Sequence, residues 1–233
     1  MINDKGFDNM KEIKTIKENT VSAKNQMIHS SELSFLGDEC ATTKILVVGN
    51  SITRHGPLAE IGWNNDWGMA ASALEKDYVH RLYSKLKEDG KNVYMRIRQC
   101  SFWEISYLKK EDILSYYDQE REFEADIVVF RLGENVPDAD KPYFKDALRR
   151  FISHICPKGK VVFTTCFWKN EIIDEAIEDV AKERGDICIN GNFAVEAKNM
   201  ALGQFEHGGV AAHPSDEGME ATAQAIYEVI CQL

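Results

Sequence analysis

Ile45-Leu46-Val47-Val48-Gly49-Asn50-Ser51-Ile52-Thr53 sets four consecutive aliphatic residues directly before a glycine and a set of small polar residues. A short apolar run rich in β-branched residues and closed by glycine reads as a buried strand that stops abruptly at the edge of its sheet. In open α/β sheets ligands bind beyond the carboxyl ends of the strands, and Ser51 stands there. The segment therefore poses a chemical question: is Ser51 a nucleophile, or only a turn residue or helix cap? Taken alone, the pentapeptide from Gly49 to Thr53 favours the turn.

Working outward, strand-like runs recur at 92–97, 126–131, 160–165 and 186–189, with helix-like segments between them. Phe144, Ala147, Leu148, Phe151, Ile152 and Ile155 fall on one helical face, and Ile173, Ala176, Ile177, Val180 and Ala181 repeat that stripe. A further helix is expected from about Leu74 to Leu86, with Gly90 as its C-cap. A last one, from about Ser215, turns Met219, Ala223, Ile226 and Ile230 inward. Strands alternating with single helices imply βαβ units and a mostly parallel sheet covered on both faces. The expected fold is a flavodoxin-like three-layer α/β/α sandwich with a five-stranded sheet over residues 44–233. Residues 1–43 are dominated by Lys, Glu, Asn and Ser and read as a polar extension, in which Met10, Ile13, Ile16 and Ile28 could support a weak helix.

Composition narrows the function classes. The net charge of −10 over 233 residues argues against non-specific nucleic-acid binding, which needs clustered Lys and Arg. No stretch approaches the roughly 20 apolar residues of a membrane span. Met1-Ile2-Asn3-Asp4-Lys5 leads into charged residues with no apolar core of a signal peptide, so the expectation is a cytoplasmic protein without a membrane partner. Cys40, Cys100, Cys156, Cys166, Cys188 and Cys231 lie far apart with no Cys-x-x-Cys pair, which reads as free thiols and not as a metal site. The oligomeric state, including a homo-oligomer, stays open.

Long irregular segments are expected after the first strand (52–69), the second (99–110) and the fifth (190–214), all at the carboxyl edge of a parallel sheet. Three residues at that edge have complementary chemistry: Ser51, Asn135 after the third strand, and His213 before the last helix. Acyl transfer needs a nucleophile, a base within hydrogen-bond reach and donors for the developing oxyanion. A serine, a histidine and an asparagine amide supply them. Alone, Ser51 and Asn135 read better as turn residues and His213 equally well as a solvated or capping histidine, so the case rests on their meeting.

Gly49-Asn50-Ser51 near the start, Gly133-Glu134-Asn135 in the middle and His213-Pro214 before the final helix together resemble the SGNH (GDSL-type) hydrolases, a family of esterases with a flavodoxin-like fold that often remove acetyl groups from carbohydrates. The resemblance covers residues 44–233. It implies Ser51 as nucleophile and as an oxyanion donor through its own N–H, Asn135 as a second donor and His213 as general base, with no metal or organic cofactor. Two departures stand out. The family usually has an aspartate three residues before the histidine, where this chain has Val210, so the base is held either by a backbone carbonyl or by Glu206, Glu134 or Asp216. The family's oxyanion glycine after the second strand is also missing, leaving the backbone N–H of Cys100 or Ser101 for that role.

The aromatic loop containing Trp63, Asn64 and Trp67 is expected to overhang Ser51, where tryptophan faces could stack on a sugar and Asn64 could bind hydroxyls, unless the two rings merely pack the loop down. Trp103 and Glu104 carry the same double reading. Glu104 could contact substrate, orient a catalytic group or form a surface salt bridge. The expected activity is a serine esterase acting on a small or glycan ester, with a catalytically weak carbohydrate-binding or sensing protein as the competing class. A flavodoxin-type nucleotide binder is disfavoured, because the first loop lacks a glycine-rich phosphate cradle.

Overall fold

The computed structural model describes residues 32–233. Its single sheet contains β1 (Leu33–Gly37), β2 (Thr43–Gly49), β3 (Val93–Gln99), β4 (Ile127–Arg131), β5 (Lys160–Thr164) and β6 (Ile187–Ile189), in the order β1-β3-β2-β4-β5-β6. All pairings are parallel except β1 with β3. Within the parallel part, the chain starts in the middle, adds β3 on one side and then crosses back to β4 on the other. This is the flavodoxin-like order, whose switch point lies between β2 and β4.

The alternation within β2 explains the three layers. Successive side chains of a strand point to opposite faces. Leu46 and Val48 join Val128, Phe130, Val161 and Phe163 under α4 (Phe144–Ile155) and α5 (Glu171–Arg184). Ile45 and Val47 join Met95, Val129 and Val162 under α1 (Tyr78–Glu88) and α7 (Asp216–Ile230). All four β2 side chains are fully buried, and each contributes roughly 1.5–3 kcal/mol relative to exposure. The helical stripes read from the sequence are the buried faces of α4, α5 and α7.

Two boundaries differ from the sequence reading. The first helix starts at Tyr78 and not near Leu74, because the Asp77 side chain accepts the His80 N–H (2.8 Å) and fixes the N-cap there. Leu74–Lys76 forms a separate 3-10 turn. The sheet has six strands instead of five, and the additional one, β1, lies inside the segment read as an extension. That strand has no buried apolar run to announce it. Phe35 is exposed and stacks on Tyr94 (5.5 Å between centroids), with the Arg96 guanidinium over its ring, so the edge is covered by aromatic and cationic contacts outside the core. Among the described residues the first strand of the sheet thus starts at Leu33. The weak helix anticipated from Met10, Ile13, Ile16 and Ile28 lies outside the described residues.

The loops anticipated at the carboxyl edge are partly ordered as short helices, α2 (Ser101–Ser106) directly after β3 and α6 (Gly208–Ala211) before His213, while a further short helix, α3 (Asp118–Glu122), precedes β4. All six cysteines are free thiols. Among the described residues no helix is long and apolar enough to cross a membrane.

Candidate active site

At the switch point Gly49 pairs with Arg131 in the last register of β2 and β4, and the chain must then turn away sharply. It does so over Asn50, whose carbonyl accepts the N–H of both Thr53 (2.9 Å) and Arg54 (3.0 Å). The return brings the Thr53 hydroxyl so close that a Cβ at Gly49 would lie 1.7 Å from it, so only glycine fits. Ser51 sits half-buried on the crest of this turn, and its N–H donates to no group among the described residues.

Ser51 Oγ lies 2.8 Å from His213 Nε2. The other ring nitrogen, Nδ1, lies 2.6 Å from the carbonyl oxygen of Gly209. A carbonyl can only accept, so Nδ1 carries the hydrogen, and Nε2 of the neutral ring presents a lone pair to the Ser51 hydroxyl. The pair is therefore arranged for transfer of the Ser51 proton to His213. Surrounding protein withdraws most of the water from His213 although part of its edge stays open, and this desolvation lowers its pKa to about 3. The Gly209 contact opposes that shift, whereas His55, Arg131 and His207 reinforce it. Trp168 stands edge-on to the ring, 5.4 Å between centroids.

The carbonyl partner follows from the local chain. His207 caps α6 by accepting the Val210 N–H at its Nδ1 (3.3 Å), and the helix stops after one turn. The backbone N–H of His213 takes the Val210 carbonyl (2.9 Å), while its side chain takes the Gly209 carbonyl one residue earlier. Val210, at the position where an aspartate was anticipated, is fully buried among Ile61, Trp63 and Met69. None of the three alternative carboxylates bonds the imidazole. Glu134 is paired with Arg131, and Asp216 accepts from Ser72 and Lys76. Glu206 makes no bond to His213, whose two nitrogens are engaged by Ser51 and Gly209.

On the other side of Ser51, Asn135 is held by a carboxylate. Its Nδ2 donates to Glu104 Oε2 (2.7 Å), and its backbone N–H approaches Oε1 (3.4 Å). Glu104 also accepts from Gly133 N–H (2.6 Å) and Asn50 Nδ2 (3.3 Å). Asn50 Nδ2 donates to Glu134 Oε2 (2.6 Å), and Asn50 Oδ1 accepts from Arg131 Nη1 (3.0 Å). Glu134 in turn bonds Arg131 and the Phe167 N–H. The Arg131 guanidinium thus pairs directly with Glu134 and reaches Glu104 only through the Asn50 amide. Burial, then the charge of Glu134, pushes Glu104 up to about 7, against the opposing effect of its hydrogen bonds. Gly133 makes this geometry reachable: it has φ +140°, and a Cβ there would strike Ile173 at 2.5 Å.

Several anticipated roles do not survive the geometry. The Ser101 N–H is taken by the side-chain oxygen of Gln99 (2.9 Å) and the Cys100 N–H by the Gly49 carbonyl (2.6 Å), so neither amide is free for an oxyanion. Trp63 is fully buried, donates its Nε1–H to the His55 carbonyl and packs against Trp67 and Phe205, because the loop needs its own small core. Trp103 is buried against Phe151 (4.4 Å, stacked) as a core residue of α2. Glu104 is wholly buried, which rules out both substrate contact and a surface salt bridge and leaves orientation of a neighbour. Asn64 is exposed, and Trp67 is half-buried with its Nε1–H on the Ala71 carbonyl. Sequence reasoning missed Asn50, Arg131, Trp168 and the Gly209 carbonyl. Asn50 directly follows, and Arg131 ends, a strand that was correctly located, and that position was their available signal.

No family model matches the sequence, and no curated protein does. Comparison with solved structures finds a lipolytic protein of the G-D-S-L family from Veillonella parvula (TM-score 0.55, 15% identity, 82% of this chain and 100% of that one). A lipase/acylhydrolase from Enterococcus faecalis superposes with TM-score 0.55 at 17% identity, over 81% of this chain and 95% of that one. An acetylxylan esterase from Geobacillus stearothermophilus does so with TM-score 0.55 at 14% identity, over 82% and 94%. The sandwich described above is the fold these proteins share.

Proposed function

From the SGNH hydrolase fold and the serine–histidine pair at its switch point, we infer that this protein is a serine esterase. The observation that carries the inference is the contact of Ser51 Oγ with His213 Nε2 at 2.8 Å, with Nδ1 tied to a carbonyl so that only the lone pair faces the serine. Ser51 Oγ attacks the ester carbonyl while its proton passes to Nε2. The tetrahedral oxyanion is held by the Ser51 N–H and by the Asn135 side-chain N–H not used by Glu104. Collapse expels the alcohol, which takes the proton back from Nε2. Water then attacks the acyl-enzyme with His213 again as base, and the carboxylic acid and free Ser51 are regenerated.

The missing carboxylate has a chemical consequence. A carbonyl fixes the tautomer of His213 but lends little stabilisation to an imidazolium, and the base is held neutral in the free protein. The counter-charge for the imidazolium is the oxyanion itself, formed only in the transition state. An arrangement of this kind favours esters with good leaving groups and makes the oxyanion donors carry more of the catalysis.

The narrower reading is an O-acetyl ester on a carbohydrate or sugar conjugate. Support comes from the fold shared with an acetylxylan esterase and with a family two carbohydrate esterase from Cellvibrio japonicus, and from Trp168, a half-buried ring beside the base that could flank a sugar. The test is hydrolysis of p-nitrophenyl acetate, a longer acyl ester and acetylated xylo-oligosaccharides, alongside labelling by a fluorophosphonate. Ser51→Ala should abolish labelling and lower turnover by at least about 10⁴-fold with an unchanged melting curve. Full activity in that variant overturns the esterase reading. Preference for the longer acyl chain overturns the acetyl-ester reading alone.

A further inference from the structure

Glu104 is a carboxylate with no exposed surface, and two separate segments aim four N–H groups at it: Asn50 after β2, and Gly133 and Asn135 in the turn after β4. A carboxylate accepts without donating, so it is the side chain that can satisfy this many convergent donors at once. Its own position is fixed from behind. The adjoining Trp103 of α2 stacks on Phe151, and Tyr107 at the end of that helix packs edge-on to Phe144. A planar amide has two N–H bonds at a set angle, so pinning one of them on Glu104 Oε2 determines where the other points.

We propose that Glu104 is the positioning residue of the oxyanion site, holding the Asn135 amide so that its free N–H meets the oxyanion formed at Ser51. This rests on the esterase reading of Ser51. Burying a carboxylate beside Glu134 is costly, and a sheet edge can be tied together without one. A group kept there against that cost, in contact with a site residue, is a candidate for a functional role. The charged and titratable groups around it are few. Glu134 disfavours its ionisation, Arg131 lies beyond Asn50 and Glu134, and Cys100 is a buried thiol held neutral by desolvation. Protonation would turn one accepting oxygen into a donor facing N–H groups and would loosen the Asn135 amide. Activity should therefore fall as pH drops through about 7, where Glu104 takes up its proton. His213, neutral down to about 3, does not titrate in that range.

The experiment is a double-mutant cycle on p-nitrophenyl acetate hydrolysis with Glu104→Gln, Asn135→Ala and the double variant, each checked by thermal melting. Glutamine offers one acceptor oxygen and places an NH₂ against an existing donor. Glu104→Gln should lower kcat by about 10²-fold with KM within about threefold, close to the loss of one oxyanion donor. The double variant should be no more than about threefold worse than Asn135→Ala, because Glu104 acts through that amide. Multiplicative losses, or an unchanged kcat in Glu104→Gln, overturn the proposal. Should Glu104→Gln not fold, the rate of fluorophosphonate labelling of the wild-type protein decides: a fall of about tenfold per pH unit below 7 supports the proposal, and a flat rate from pH 5 to 8 overturns it. A Ser51 that takes no label at any pH ends the esterase reading and this proposal together.

Discussion

Ser51 stands between two unlike supports. On one side His213 leans on a single backbone carbonyl, at the end of a four-residue helix containing two glycines. On the other, Asn135 is anchored in a buried lattice of Glu104, Glu134, Asn50 and Arg131 that spans the ends of β2 and β4. The His213 side carries no charged partner, whereas the Asn135 side concentrates charge. On the proposed mechanism, the two ends of one reaction are thus stabilised by different physics. A peptide dipole orients the His213 ring, and a costly set of buried ions orients the Asn135 amide.

Three substitutions probe this contrast, in descending order of expected effect. His213→Ala should cut turnover by about 10³–10⁴-fold, leaving only the oxyanion donors and binding. Steady-state kinetics on an activated ester measure it, and a loss below about tenfold would mean that another group serves as base. Val210→Asp, which writes in the aspartate that the family places there, should not create a triad. The side chain enters the cluster of Ile61, Trp63 and Met69, so burial of the carboxyl should cost on the order of 3 kcal/mol of stability. Urea unfolding reads that cost, and a gain in turnover at unchanged stability would show that Val210 faces the imidazole after all. Glu206→Ala should change turnover by less than about threefold. An effect approaching that of His213→Ala would reveal an unrecognised carboxylate partner and erase the contrast between the two sides.

What the sequence disclosed tracks how strongly chemistry constrains a pattern. β2, β4 and β5 are continuous apolar runs, and the stripes of α4 and α5 can bury themselves in only one way, so the three-layer sheet was legible from their periodicity. β1 was not, because a half-covered antiparallel edge strand needs no apolar run and its Phe35 faces outward. In the loops, a tryptophan reads the same whether it stacks on a ligand or fills a local core. Trp63 and Trp103 turned out to fill cores, and Trp168, never singled out, is the ring beside His213. Glu104 resisted reading for a related reason: a charged residue is expected at the surface, and nothing in its neighbours announces four converging donors. The Gly209 carbonyl could not be located at all from residue types, since every residue carries one and only the path of the backbone selects it.

That selection has an evolutionary side. An aspartate behind a catalytic histidine can be deleted by one codon change, but the Gly209 oxygen belongs to the main chain and survives any replacement of the side chains around it. What can be lost is the turn that aims it, and that turn is held by the His207 cap and by the buried Val210 anchor. The orientation of the His213 ring is therefore spread over the conformation of residues 207–213, with no single letter of the sequence that stands for it.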